Sequence, residues 1–484
     1  MDFIGRNEQL SQLSALWRKG TASLVTCQGR RRIGKSRLLD EFALRSGCRF
    51  LKLSGLAPRK KMSNGDQLRY FCESLSAKTN GESQIASGWP EAFKLLGKAI
   101  ASLCREGKTL VVLDEVSWMG GWDVDFPGYL KDAWDDDFKR NDNLVLVLCG
   151  SVSAWIQRNI LDSTGFVGRI SLELEVGELP ARDCLGFWRQ MRGSVSPKEV
   201  FDMLSVTGGV PRYLEEIDPA LTTDENIRRM AFTKSGTLFG DFNRIFSDVF
   251  GRKSVTKRKM LESLANGSKT LSEIATAIGK GRGGHVTEAL EELELAGFII
   301  RDRGINPESG LPSKIDRYRI RDNYTRFYLR FVAPYSTMIR SGAFRFAGLD
   351  AMPGWDSILG LQFENLVLNN ADALIEALGL ERSLVISAAP YRRQAPRGSS
   401  PADGGCQIDL LLQLKQAMYV VEVKRRATID ASVTDDVQKK IERLPNPHGL
   451  SVRPILVYEG NLSPAVNENG FFAATLRASD LLLR

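Results

Sequence analysis

Apolar and polar residues follow different rhythms along the chain, and each rhythm predicts a different kind of element. Short apolar runs recur in the first third: ASLVTCQG at 22–29, Leu110–Leu113 within KTLVVLDE, and NLVLVLCGS at 143–151. Continuous runs of this kind suit strands covered on both faces, as in a parallel sheet. Between them the period lengthens. Leu38, Leu39 and Phe42 share one face of a helix starting near Ser36, and SVSAWIQRNI after the third run is again helical. After GFVGR, the stretch ISLELEV alternates as a half-buried strand does. Residues 220–250 read as mixed and helical.

The pattern then changes. Thr270 and Glu273 form a T-x-x-E capping box ahead of a short helix with Ile274 and Ile278 inward, ended by Gly279. A basic turn, 280–284, leads to a second helix with Val286, Leu290, Leu293 and Leu295 on its apolar side and acids at Glu288, Glu291 and Glu292. AGFIIRDR and SKIDRYRIRD read as two strands around a Gly/Pro/Ser loop. Helix, turn, helix and hairpin together predict a winged helix. Arg282, His285 and Thr287 front its recognition helix, where contacts to base edges or phosphates are made. Tyr318, Tyr324, Phe327, Tyr328 and Phe331 read as helix core, and 334–353 as a loop and boundary. Beyond it lie an amphipathic helix, GLQFENLVLNN, and two strands, CQIDLLLQL and AMYVVEVKRR.

Length and composition narrow the class. A chain of 484 residues suggests about three domains. An apolar content of 43% and a charged content of 26% are ordinary for a globular protein. The net charge of +8 favours an anionic partner, with DNA the expected one. Seven cysteines without a C-x-x-C pair and only two histidines argue for reduced thiols and against structural zinc. The start, MDFIGRNEQL, does not read as a leader, and no apolar stretch approaches a membrane span. A cytoplasmic protein without a membrane partner is expected.

The chemistry starts at CQGRRRIGKSRLLDEF. Gly29, Gly34, Lys35 and Ser36 fit G-x-x-x-x-G-K-[ST], set between an apolar strand and a helix as that loop requires. The expected nucleotide-binding stretch is Gly29, Arg30, Arg31, Arg32, Ile33, Gly34, Lys35, Ser36 and Arg37. Its glycines let backbone N–H groups converge on an anion at a helix N-terminus. Lys35 would reach the β- and γ-phosphates and Ser36 would ligate Mg²⁺. Asp114 and Glu115 end a buried strand, where Asp114 would hold Mg²⁺ and Glu115 would act as general base for ATP hydrolysis. Ser151 ends the third strand, as a γ-phosphate sensor, a helix cap or both. Arg169 lies in a glycine-flanked loop from which it could serve a γ-phosphate.

FIGRNEQLSQL, GRRRIGKS, LVVLDE, LCGS, GRISLEL and TGGVPRYL resemble, in order and spacing, the archaeal-type AAA-like ATPases of the STAND-related branch. The resemblance covers roughly the first half of the chain. It implies that residues Phe3 to Arg6 lie beside the adenine, and that Gly208, Gly209 and Pro211 close the nucleotide pocket from a lid. It also allows assembly into a homo-oligomer.

In the last third, Glu422 and Lys424 alternate onto one strand face with Val423 opposite, and Asp409 joins that face if the two strands pair. Two carboxylates could bind Mg²⁺ while Lys424 orients the attacking water. This arrangement resembles the restriction-endonuclease-like PD-(D/E)XK core, with Glu364 matching its helix acid and Ile408 standing where the motif has proline. The resemblance assigns Glu364, Asp409 and Glu422 to metal, Asp409, Glu422 and Lys424 to catalysis, and Gln438 and Lys440 to DNA phosphates. The expected architecture is α/β. It comprises a P-loop parallel-sheet ATPase core (1–180), a helical lid (181–250), a winged helix-turn-helix (251–334) and a restriction-endonuclease-like α/β domain (335–484). The expected function is an ATPase whose nucleotide state gates a metal-dependent DNA nuclease. The alternative is an ATP-switched winged-helix regulator with a non-cleaving tail.

Overall fold

Five strands make the first sheet: β1 (Ser23–Gln28), β2 (Arg49–Ser54), β3 (Thr109–Asp114), β4 (Leu144–Gly150) and β5 (Ile170–Glu175). The structure is a computed structural model that describes residues 2–59, 61–80, 84–151, 153–190, 195–251, 254–281, 283–344, 348–395 and 404–483. The chain divides into two compact units, residues 1–178 with 295–297, and residues 179–294 with 298–484.

In the first unit the strand order is β2-β3-β4-β1-β5, and every neighbouring pair is parallel. β3 and β4 are buried at every position, which accounts for their unbroken apolar runs. Because all strands run one way, Gln28, Asp114 and Gly150 end along a single sheet edge, the side on which open α/β sheets bind ligands. Helix α1 (Lys35–Ser46) leaves β1 at that edge and buries Leu38, Leu39 and Phe42. Under the sheet, Trp89 packs its ring 4.7 Å from Phe126 and 5.4 Å from Phe71, both edge-on. Such pairs add about 0.5–1.5 kcal/mol beyond the area they bury.

The second unit carries two sheets. β6 (Lys269–Thr270), β7 (Ile299–Asp302) and β8 (Arg317–Ile320) pair antiparallel in the order β6-β8-β7. Ahead of and among them come helices α2 (Pro197–Thr207), α3 (Ser254–Leu264), α4 (Leu271–Ala277) and α5 (Gly284–Leu295). The Thr270–Glu273 capping box forms as the spacing requires, and Gly279 follows α4 at φ +69°. The larger sheet is mixed: β9 (Ser387–Arg393), β10 (Cys406–Gln413) and β11 (Ala417–Ile429) run antiparallel, while β12 (Ser451–Leu462) and β13 (Ala474–Arg477) continue parallel to β11. Helices α6 (Trp355–Asn369) and α7 (Ser432–Arg443) pack against this sheet.

Three local expectations change. Tyr318 is buried on strand β8 rather than on a helix. The stretch expected as a loop holds a short helix, Ser336–Ser341. Glu292 does not belong to an exposed acidic face of α5, because it is buried against Lys257 at 2.6 Å. All seven cysteines are free thiols. Among the described residues no helix is long and apolar enough to cross a membrane.

Candidate functional site

The loop between β1 and α1 is shaped by two glycines with left-handed dihedrals, Gly29 at φ +152° and Gly34 at φ +89°. A Cβ on Gly29 would stand 2.2 Å from the carbonyl oxygen of Val176, so no side chain fits there. Arg32 is also left-handed, at φ +71°, a conformation a non-glycine residue adopts at some cost. The Lys35 ammonium donates to the carbonyls of Gly29 at 2.7 Å and Arg30 at 3.0 Å, which holds it over its own loop. Arg6 braces the turn from outside, donating to Ile33 O at 2.9 Å and Gly177 O at 2.7 Å. Arg37 donates to the carbonyl of Asp2, at 3.5 Å. Gly29→Ala is therefore expected to abolish nucleotide binding and to cost about 1–3 kcal/mol of stability through a distorted loop. A nucleotide titration and a thermal melt check both parts.

Across the sheet edge the acids fall into line. Ser36 Oγ donates to Asp114 Oδ2 at 2.9 Å, and the Lys52 ammonium lies 3.7 Å from the same oxygen. Glu115 sits in a left-handed conformation at φ +52°, and its carboxylate accepts the Ser151 hydroxyl at 2.8 Å and the Ser151 N–H at 3.2 Å. Arg31 Nε in turn donates to Ser151 Oγ at 3.4 Å, and its guanidinium lies 5.1 Å from the centre of the Trp118 ring. A hydroxyl touching a carboxylate at the mouth of a glycine loop is an oxygen donor set of the kind Mg²⁺ prefers, so these residues fit that ion. Pro211 opens a short helix, Pro211–Leu214, in the second unit.

Arg169 is not brought to this edge. It directly precedes β5, whose Ile170 pairs with Leu24 near the start of β1, at the opposite end of the strands from Gly29. Its guanidinium forks onto Asp135 at 2.8–3.1 Å, where Lys131 and Lys139 also converge. That cluster, Arg169 first, holds the Asp135 carboxyl far below the ordinary carboxylate range. Arg169 therefore lies away from its own chain's phosphate loop and is engaged by Asp135 instead.

In the second unit, β10 and β11 pair with Leu410 opposite Val421, so one further step sets Asp409 opposite Glu422. The two acids share the face that carries Lys424. Asp409 accepts the Val423 N–H at 2.8 Å. Glu422 is fully buried, with Lys424 2.6 Å from one carboxylate oxygen and Lys440 2.5 Å from the other. Glu364 approaches from α6. Burial, then the charge of Asp409, pushes the Glu364 carboxyl up to about 7. Burial, then Glu422, pushes Asp409 up to about 6. Lys440 is raised because its attraction to Asp409 and Glu422 outweighs the opposing effect of its own burial.

Two facing carboxylates are enough for Mg²⁺, which usually keeps waters and substrate oxygens for its remaining positions. The fit is partial. Among the described residues no group of three or more His, Cys, Asp or Glu stands close enough to hold a metal. Metal binding at this site requires ionised acids, and Glu364 and Asp409 hold their protons unusually well. Divalent-ion affinity is therefore expected to rise between about pH 5.5 and 7.5, with proton release on binding, which calorimetry in buffers of different ionisation enthalpy would measure.

The DNA-contact residues expected from the sequence scatter. Lys440 is taken by Glu422. Gln438 is exposed and bonds Glu442 at 2.9 Å. His285 is exposed at the start of α5, and Thr287 is half-buried two residues on. Arg282 lies outside the described residues. Sequence reasoning missed a buried polar hub beside Glu364. Gln362 donates to Ser205 O at 2.8 Å and Asn323 O at 2.6 Å, and accepts from Arg326 at 2.6 Å. Asn365 donates to Asn323 Oδ1 at 2.8 Å. Burial pushes Arg326 down to about 10. The available signal was Gln362, Asn365 and Asn369 at helical spacing along the mostly apolar α6.

A phosphate-binding loop on a parallel α/β sheet, with carboxylates ending the strand one place beyond its neighbour, defines the class of fold. No family model matches the chain. It is similar to an uncharacterized protein of Methanocaldococcus jannaschii, at 23% identity over 367 residues that cover 75% of this chain and 76% of that relative. Among solved structures it is similar to a Walker-type ATPase of Pyrococcus abyssi, with 18% identity, a TM-score of 0.46, and coverage of 68% of this chain and 97% of that one. It is also similar to the ORC2 protein of Aeropyrum pernix in its ADPNP–ADP complexes, with 13% identity, a TM-score of 0.44, and coverage of 70% and 95%.

Proposed function

We propose that the chain binds and hydrolyses ATP at the loop between β1 and α1, and that nucleotide state gates a metal-dependent DNA nuclease site on the mixed sheet. The observation that carries the first half is the alignment of Lys35, Ser36, Asp114, Glu115 and Ser151 along one sheet edge. Backbone N–H groups and Lys35 would hold the triphosphate. Mg²⁺, when held by Ser36 and Asp114, would neutralise charge between the β- and γ-phosphates. Ser151 orients the Glu115 carboxylate, which would take the proton of the attacking water. Lys52, near Asp114, keeps that carboxylate in an electropositive setting.

The second half rests on Asp409 and Glu422 facing each other beside Lys424. Lys424 would orient the attacking water and stabilise negative charge at the phosphodiester. Helices α3 to α5 with β6, β7 and β8 are read as the winged helix. Gating would run inside the second unit through Gln362, which ties the helix bearing Glu364 to a carbonyl of α2 in the lid. The rival reading, a DNA-binding regulator without cleavage, is favoured by one observation: both Glu422 oxygens are already engaged by lysines. DNA incubated with Mg²⁺ or Mn²⁺ and ATP separates the two. Cleavage lost in Asp409→Ala and Lys424→Ala supports the nuclease, while binding without cleavage supports the regulator. Lys35→Ala that leaves the nucleotide dependence of cleavage unchanged contradicts gating.

A further inference from the structure

A cavity of about 1300 Å³ opens within the second unit, between the β7–β8 hairpin and the strand end of β9. Lys314 and Arg317 line it from the hairpin, Tyr391, Arg392 and Arg393 from β9, and Glu364 lies in its wall. Most of its acids are already matched. Asp316 is paired with Arg301, Asp302 with Arg319 at 3.1 Å, and Glu273 with Arg317 at 3.2 Å. Glu308 and Glu364 are the lining carboxylates outside these pairs among the described residues. Of the lining cations outside these pairs, Arg326 is fully buried, while Lys314 and Arg392 are exposed, one on each wall. Beside them Arg393 Nε is buried with no hydrogen-bond partner among the described residues. A buried, unanswered guanidinium N–H at the edge of a cationic cleft is a place prepared for an anion.

We propose that this cleft holds a single nucleic-acid strand, its phosphates meeting Lys314 on one wall and Arg392 and Arg393 on the other, on the way to Glu364. The inference rests on the nuclease reading and names its substrate form. The volume exceeds the 300–1,000 Å³ typical of small-molecule sites, so a polymer segment fits better than a metabolite. A duplex, one turn of which runs about 34 Å, would lie across such a cleft rather than in it. A Gln394 Nε2 contact to Glu273 at 3.3 Å ties β9 to the cap of α4, so the two walls are parts of one surface. On this account the hairpin of the winged helix grips the strand, and the recognition helix with His285 is not the main contact.

Fluorescence anisotropy tests this with the full chain, a labelled oligothymidylate of about 12 nucleotides, and no divalent metal. Arg392→Glu and Lys314→Glu are each expected to weaken binding about tenfold, and the pair about a hundredfold. The slope of log affinity against log salt should fall by about 0.7 for each phosphate that is no longer neutralised, while Arg392→Lys retains most of the affinity. Wild-type affinity in the double variant, no binding by wild type, or tighter duplex binding that the variants leave unchanged overturns the proposal. Cleavage by Asp409→Asn separates it from the reading beneath it. If that variant cleaves as wild type while Arg392→Glu weakens binding, the channel stands and the nuclease assignment falls. If cleavage is lost but the reversals leave oligothymidylate binding intact, the assignment stands and the channel falls.

Discussion

Replacing Lys35 by alanine is expected to lower ATP turnover by about 10²–10³-fold and to weaken ATP binding, because its ammonium is a positive charge held over the loop by hydrogen bonds to the loop's own carbonyls. Glu115→Gln should behave differently. The amide keeps an acceptor for Ser151, so the loop and its bound nucleotide stay in place, while the proton acceptor is lost. Turnover should fall about 10²–10⁴-fold with ATP affinity retained. Steady-state hydrolysis alongside equilibrium binding separates the two outcomes. If Glu115→Gln turns over at the wild-type rate, Glu115 is not the base, and the left-handed strain at that residue needs another explanation.

Asp409→Asn should abolish metal-dependent cleavage and, in the metal-free protein, raise stability. The direction follows from the sign of the shift. Asp409 is buried opposite Glu422, and its carboxyl is pushed up to about 6, so the ionised form is less welcome in the fold than in the unfolded chain. Below the unfolded pKa, near 4, both states carry the proton and the cost is absent. As pH rises through about 4 to 6 the cost appears, and above that it is complete, on the order of 3 kcal/mol. The asparagine removes the charge and can still accept the Val423 N–H. Melting curves at pH 5 and 8 should therefore show the larger gain for the variant at pH 8. Equal gains at both values, or a loss at pH 8, contradict this account.

Much of the first site was legible because its chemistry is local. Gly29 to Ser36 is one turn between a strand and a helix, and Asp114 and Glu115 announce themselves by ending an apolar run. What brings them together is strand order, and no residue encodes that by itself. β4 inserts between β1 and β3, and so Ser151 comes to hold Glu115. The misplacement of Arg169 has the same origin, since a glycine-flanked arginine looks alike at either end of a strand. In the second unit the alternation of Glu422, Val423 and Lys424 placed two charges on one face, and the antiparallel register supplied Asp409. The partner of Glu422 was not legible, because Lys440 comes from a helix whose docking depends on the whole sheet. β12 was hidden by Pro454, which pairs in register with Val420 although proline cannot donate to the ladder. β2 and β9 were hidden by charged residues at their exposed positions.

The central claim is that backbone N–H groups and the Lys35 ammonium grip a triphosphate at the sheet edge. Isothermal titration calorimetry of Mg·ATP into the full chain tests it most directly, with Lys35→Ala as the comparison. Saturable binding near one ATP per chain in the wild type, weakened at least tenfold in the variant, is the predicted result. No heat of binding from well-folded wild-type protein, or identical isotherms for both proteins, would contradict it.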